Sequence, residues 1–142
     1  MYRLMVRTTN RKYVDRSDSR NLLKKALEAR DTMHSELEKG NFNSAASNAV
    51  KCAINACNAL TVAVSGEISS GKKHEDAAFL LAERVRGKDV KEAENIFRRI
   101  VGKKTDIDYG VKLARRGDAE SLVRFADEFL GWVESRMPPE YR

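Results

Sequence analysis

The sequence predicts an all-α protein, an up-and-down bundle of about five helices, on three observations. Apolar residues recur at spacings of three and four along most of the chain, the period of a helix with one buried face. Both prolines, Pro138 and Pro139, stand at the far end, so neither interrupts a helix before them. Apart from Tyr2 to Val6, no useful length alternates apolar and polar residues as a half-buried strand would.

The first helix is expected from Asp18 or Ser19 to Gly40. Leu23, Ala26, Leu27, Met33 and Leu37 form its stripe, and Gly40 suits the residue just past a helix end. His34 lies beside the stripe and reads as a surface or hydrogen-bonded structural histidine. The second helix begins after Asn41 or Asn43 and runs to about Ser65. Its apolar residues, from Ala45 through Cys52 and Cys57 to Val64, cover roughly 200° of the helical wheel. That arc places it at the centre of the bundle, and its alanines permit close approach by neighbouring helices. The remaining strip carries Ser44, Asn48, Lys51, Asn55 and Asn58. Such a strip is a solvated seam by default. Its functional alternative is the polar wall of a groove or a dimer contact, with Asn48, Lys51, Asn55 and Asn58 as ligand-binding candidates.

A third helix is expected over roughly His74 to Arg86, with Ala77, Ala78, Leu81 and Val85 facing inward. A fourth starts at Asp89 as N-cap and runs to about Val101 on Val90, Ala93, Phe97 and Ile100. Lys91, Glu94 and Arg98 are expected to point outward, with Glu94 and Arg98 as an i,i+4 ion pair. Residues 102–117 read as a long connection containing about one helical turn. The last helix runs from Asp118 to before Pro138, with Leu122, Ala126, Phe129, Leu130, Val133 and Met137 inward. Phe125 and Trp132 fall off that stripe, on the exposed side. The organisation is a basic arm (1–17), a helical bundle (18–137) and a short tail (138–142).

Composition narrows the function. With 142 residues the chain is expected to be one domain with a real core. No window approaches 18 uninterrupted apolar residues, which excludes a membrane-spanning helix, and no apolar signal core follows the basic N-terminus. A cytoplasmic location is therefore expected. Cys52 and Cys57 lie about 140° apart on a helix, so they neither bridge nor share a metal and read as buried small hydrophobes. His34 and His74 are the only histidines, and no metal site or cofactor is expected.

The net charge of +6 is unevenly spread. Residues 1–20 carry +4, residues 21–83 carry −1, residues 84–116 carry +6 and residues 117–142 carry −3. A basic middle suggests an anionic partner, although charge runs are commonly solvated faces. Arg98, Arg99, Lys103 and Lys104 fall within seven residues and are candidate phosphate contacts.

Residues 65–73, SGEISSGKK, nearly spell a nucleotide-binding phosphate loop. Such a loop needs a hydroxyl for Mg²⁺ after its lysine, and here Lys73 follows Lys72. It must also follow a buried strand, whereas Leu60 to Val64 continues a helical register. Gly66 to Gly71 is expected to be a helix C-terminus and a flexible turn.

Two stretches carry a family resemblance. Residues 40–63, GNFNSAASNAVKCAINACNALTVA, resemble the second helix of HEPN domains, in which a Gly-Asp/Asn-aromatic turn opens an Ala-rich central helix. Residues 106–136, DIDYGVKLARRGDAESLVRFADEFLGWVESR, resemble the C-terminal part of those domains, with an Asp-Tyr pair, a loop and a final helix. The resemblance implies an up-and-down helical bundle, often dimeric, in a family whose name itself proposes nucleotide binding. Catalytic HEPN proteins are metal-independent ribonucleases that use an Arg, four to six residues, then a His. In this chain the positions upstream of His74 are Glu67, Ile68 and Ser69. Those upstream of His34 are Leu27, Glu28 and Ala29, with Arg30 one residue too close. The resemblance therefore implies a non-catalytic member.

The expected function is a binding module, a homo-oligomer recognising RNA, a nucleotide or a partner protein, with Lys104 and Tyr109 joining the asparagine strip as ligand contacts. The alternatives are a structural subunit beside a nucleotidyltransferase-type partner, as the family often provides, or a ribonuclease using Lys51, Asn55, Lys104 and Tyr109.

Overall fold

The structure, a computed structural model, describes residues 10–71 and 73–142. Six helices succeed one another among these residues: α1 Ser19–Glu38, α2 Phe42–Ser65, α3 Glu75–Arg84, α4 Val90–Val101, α5 Lys104–Tyr109 and α6 Arg116–Arg136. The expected helical bundle is present, and α5 is the helical piece of the 102–117 connection. No helix among the described residues is long and apolar enough to cross a membrane.

The core is built around α2. Ala45, Ala46, Ala49, Ala53, Ala56, Ala59 and Ala63 are all fully shielded from solvent. A one-carbon side chain keeps little distance between backbones, so α1 and α6 close along α2 and both pack extensively against it. Larger residues from the neighbours complete the layer. Met33 of α1, Phe97 of α4 and Phe129 of α6 are fully buried, and the two phenyl rings meet at 5.2 Å between centroids. Cys52 and Cys57 are buried and unpaired. Burial pushes the Cys52 thiol up to about 12 and raises Cys57 as well, so both behave as packing groups.

The α1–α2 turn follows from Gly40, whose φ of 80° is the left-handed conformation that ends many helices. Asn41 N–H donates to the Glu36 carbonyl at 2.9 Å and Gly40 N–H to Leu37 at 3.1 Å, closing a Schellman motif. At the other end of α2, Gly66 is left-handed again, and Arg16 Nε donates to the Ala63 carbonyl at 2.9 Å.

Several expectations are corrected here. Residues 67–71 are not merely a flexible turn. Strand β2 (Glu67–Ser69) pairs antiparallel with β1 (Arg11–Tyr13), Lys12 lying opposite Ile68. This ladder is too short to print a period of two on the sequence. The candidate strand Tyr2 to Val6 lies outside the described residues. Glu67 is buried and its carboxylate meets Arg84 at 2.5 Å and Arg11 at 3.5 Å. The Arg84 guanidinium hydrogen-bonded to it holds this carboxyl below the usual glutamate value. Further on, the Asp76 carboxylate fills the space next to Gly71, so that an added Cβ would clash with its Oδ2. A carboxylate there opposes a phosphate group, in accord with rejecting a phosphate loop; Lys72 itself lies outside the described residues.

Asp89 does precede α4, but its carboxylate makes no cap bond and accepts from Arg136 Nη1 at 2.7 Å instead. Glu94 does not point outward. It is 7% exposed, and Arg98 reaches back over it with two bonds of 3.0 and 2.8 Å. Helix α3 is shorter than expected, because Val85 is extended, and α6 starts two residues earlier, at Arg116. Phe125 and Trp132 are half-buried rather than exposed, Trp132 lying 5.9 Å from Phe129.

Candidate functional site

A concavity opens between the C-terminus of α4, helix α5, the connector that follows it and the first half of α6. It has a volume of about 800 Å³. Its floor includes Ala46 of α2, and its apolar walls come from Ile107 of α5 and Leu122 and Phe125 of α6. Val111 and Leu113 form the connector side.

Local sequence explains that connector. A Cβ on Gly110 would fall 2.4 Å from the Asp106 carbonyl oxygen, a backbone atom that has no freedom to yield. Only glycine lets the chain leave α5 there, and it leaves extended. The connector bends at Val111 and Lys112 and is pinned at its far end, where Ala114 N–H donates to the Asn43 side chain of α2 at 2.7 Å. Between these two points Val111 and Leu113 stand 98% and 79% exposed, with Tyr109 at 79% just before them. With half-buried Ile107 and Phe125, Val111 and Leu113 line one cleft, and such grouped apolar surface, not a single exposed side chain, marks an interaction site.

The basic residues divide around this cleft. Arg98, Arg99, Lys103 and Lys112 line it, while Lys104 does not. Lys104 turns to the other face of α5 and pairs with Asp108 at 2.5 Å. Arg98 is compensated by Glu94, and its guanidinium stacks 4.5 Å from the Phe79 ring. Arg99 lies 5.8 Å from the Phe125 ring, and Arg99, Lys103 and Lys112 make no ion pair among the described residues. Two carboxylates, Asp106 and Asp118, also line the cleft; Asp118 accepts from the Arg115 N–H at 3.2 Å.

The asparagine strip is elsewhere. Asn48 Nδ2 donates to the Ser44 carbonyl at 2.9 Å and Asn55 Nδ2 to the Lys51 carbonyl at 3.0 Å, each bonding back to its own helix. Lys51 is exposed and Asn58 half-buried, and none of the four lines the cleft. Tyr109 stands outside it, with Lys104 Nζ 6.0 Å from its ring. The strip and the basic middle are thus separate surfaces.

Sequence reasoning passed over two features. Tyr109, Val111 and Leu113 put three large apolar side chains within five residues, inside a stretch read only as connection. The fold also brings His74, distant in sequence, to the outer face of α5. Ser47 Oγ donates to Asp108 Oδ1 at 3.4 Å, and half-buried His74 feels both Lys104 and Asp108. Burial first, and then the Lys104 charge, lower the His74 pKa below the ordinary 6.5. Among the described residues no group of three His, Cys, Asp or Glu side chains is placed to hold a metal ion.

The family model of the HEPN domain matches residues 19–136. The chain belongs to the HEPN family. No curated protein and no solved structure matches it at a significant level. The match spans the whole bundle from α1 to α6, so the cleft and its connector lie within the HEPN domain.

The His74 environment yields a pH prediction. A lowered folded-state pKa means the unfolded chain takes up this proton more readily, so His74 draws no stability above pH 6.5 and costs stability as pH falls below it. An NMR titration of Lys104→Ala should show the His74 midpoint rising, because a cation is lost and Asp108 is left unpaired. A midpoint that stays put or falls would contradict this placement of His74 beside α5.

Proposed function

We propose that this HEPN domain is a non-catalytic binding module and that a partner protein docks in the cleft between α4, α5 and α6. One observation carries the reading: the cleft is walled by aliphatic side chains and continues onto Val111 and Leu113, which reach into solvent. Covering such groups is favourable, and apolar anchors surrounded by polar residues are the usual anatomy of a protein interface. The resemblance adds a nucleotidyltransferase-type protein as one such partner, with the HEPN chain as its structural subunit.

RNA or a nucleotide is the second reading, favoured by Arg99, Lys103 and Lys112 at the same mouth. Three phosphate contacts would give a log–log salt slope of about −2.1 on single strands. The two readings separate in one experiment. Tagged protein recovered from its own cells should keep a stoichiometric protein partner through nuclease treatment. Val111→Ser with Leu113→Ser should remove that partner without loss of helical content. Retention by this variant would contradict docking in the cleft, and a nuclease-sensitive complex lost in Arg99→Ala, Lys103→Ala, Lys112→Ala would support RNA.

The homo-oligomer that the resemblance implies is proposed on a different face. A two-fold contact through the cleft would set its basic mouth against a copy of itself. Light scattering at high micromolar concentration should give a multiple of 16.0 kDa, and the monomer mass would contradict self-association.

A further inference from the structure

The geometry points to an acidic amphipathic helix as the segment of the partner that enters the cleft, aliphatic on its inserted side and bearing carboxylates along its edges. This inference rests on the reading of the cleft as a protein-docking surface and assigns the chemistry of its occupant.

The walls select the inserted side chains. Ile107, Val111, Leu113 and Leu122 are branched aliphatics, which offer shape to leucine-like or isoleucine-like knobs and no platform for a flat base. The single aromatic in the lining, Phe125, is half-buried and flanked by guanidinium groups, Arg99 at 5.8 Å and Arg124 at 5.5 Å. Single-stranded nucleic acids rely on aromatic faces on which successive bases stack. A cleft closed by three helices instead takes ridge residues at i, i+3, i+4 and i+7 of an incoming helix.

The rim selects the charge. Arg98 is already answered by Glu94, but Arg99, Lys103 and Lys112 make no ion pair among the described residues and surround the mouth. The two carboxylates of the lining do not reverse that balance: three cations without an ion pair face Asp106 and Asp118. An incoming helix whose flanks carry Glu or Asp would meet these cations as its knobs enter, gaining association rate and orientation. A second copy of the chain is disfavoured on the same grounds. The two-fold arrangement repels, and the acidic outer face of α6 is no substitute, because the apolar face of that helix is already committed to its own core.

The test uses three fluorescent probes on the full chain. One is an 18-residue peptide of leucines at helical spacing with glutamates between them, the second replaces every glutamate by lysine, and the third is an oligouridine RNA. Anisotropy at low salt should show the acidic peptide binding at least tenfold more tightly than the lysine peptide and the RNA, and weakening as salt rises. Lys103→Glu with Lys112→Glu, both exposed positions, should reverse the ranking of the two peptides. Val111→Ser with Leu113→Ser should weaken the acidic peptide at least tenfold. Circular dichroism of both variants should match the parent. Equal affinity for the two peptides, binding of neither, or tighter binding of the RNA would overturn the inference. If both peptides bind equally and still depend on Val111 and Leu113, the acidic occupant falls while docking in the cleft stands. If the serine variant alters neither peptide binding nor partner retention, both readings fall.

Discussion

The alanine seam of α2 is the constraint on which the rest of the structure depends. Seven alanines with no exposed surface let α1 and α6 lie close along one helix, and α3 and α4 also pack against it. Close packing of this kind leaves no room for error, since a single added methylene forces side chains or backbone to move. Most of the largest core residues, among them Met33, Phe97, Phe129 and Leu130, come from the surrounding helices, while α2 adds Leu60 and Val62 at the C-terminal end of its alanine seam. The rigid frame follows from that packing.

The candidate site exists because this frame is closed by a piece that does not pack like the rest. Helix α5 has six residues and buries none of them fully, and the connector after it bends at Val111 and Lys112 before reaching the Asn43 tether. A short helix and a bent, non-helical connector fill less space than a full helix would, and the cleft is the volume left between them and α6. The same geometry holds Val111 and Leu113 away from the core. The acidic and basic groups around the cleft then sort by whether the fold has already paired them. Glu94 takes Arg98 and Asp108 takes Lys104, leaving Arg99, Lys103 and Lys112 at the mouth.

Much of this was legible in the sequence where helices are long and strongly periodic. The alanine arc of α2, the stripe of α6 and the stop at Gly40 each write a physical requirement directly into residue order. The rest was not, for identifiable reasons. The β1–β2 ladder joins two three-residue segments 56 positions apart in register, and local pattern carries no such information. A charged Glu94 is expected on the outer face, yet Arg98 makes its burial tolerable. Lys103 and Lys104 formed one basic cluster on paper, but adjacent residues on a helix diverge by about 100°, so one faces the cleft and the other Asp108. Val111 and Leu113 show how exposed aliphatic residues within an apparent loop can mark the wall of a site.

The dependence of the whole on α2 is open to direct measurement by native-state amide hydrogen exchange across a denaturant series. The amides of Cys52 to Leu60 should exchange only through global unfolding, with opening free energies that fall with denaturant in step with the global value. Those of Ile107 to Ala114 should open locally, at lower free energy and with little dependence on denaturant. Exchange of the central α2 amides ahead of those in α4 and α6 would contradict the account, since the seam would then not be what holds the bundle together.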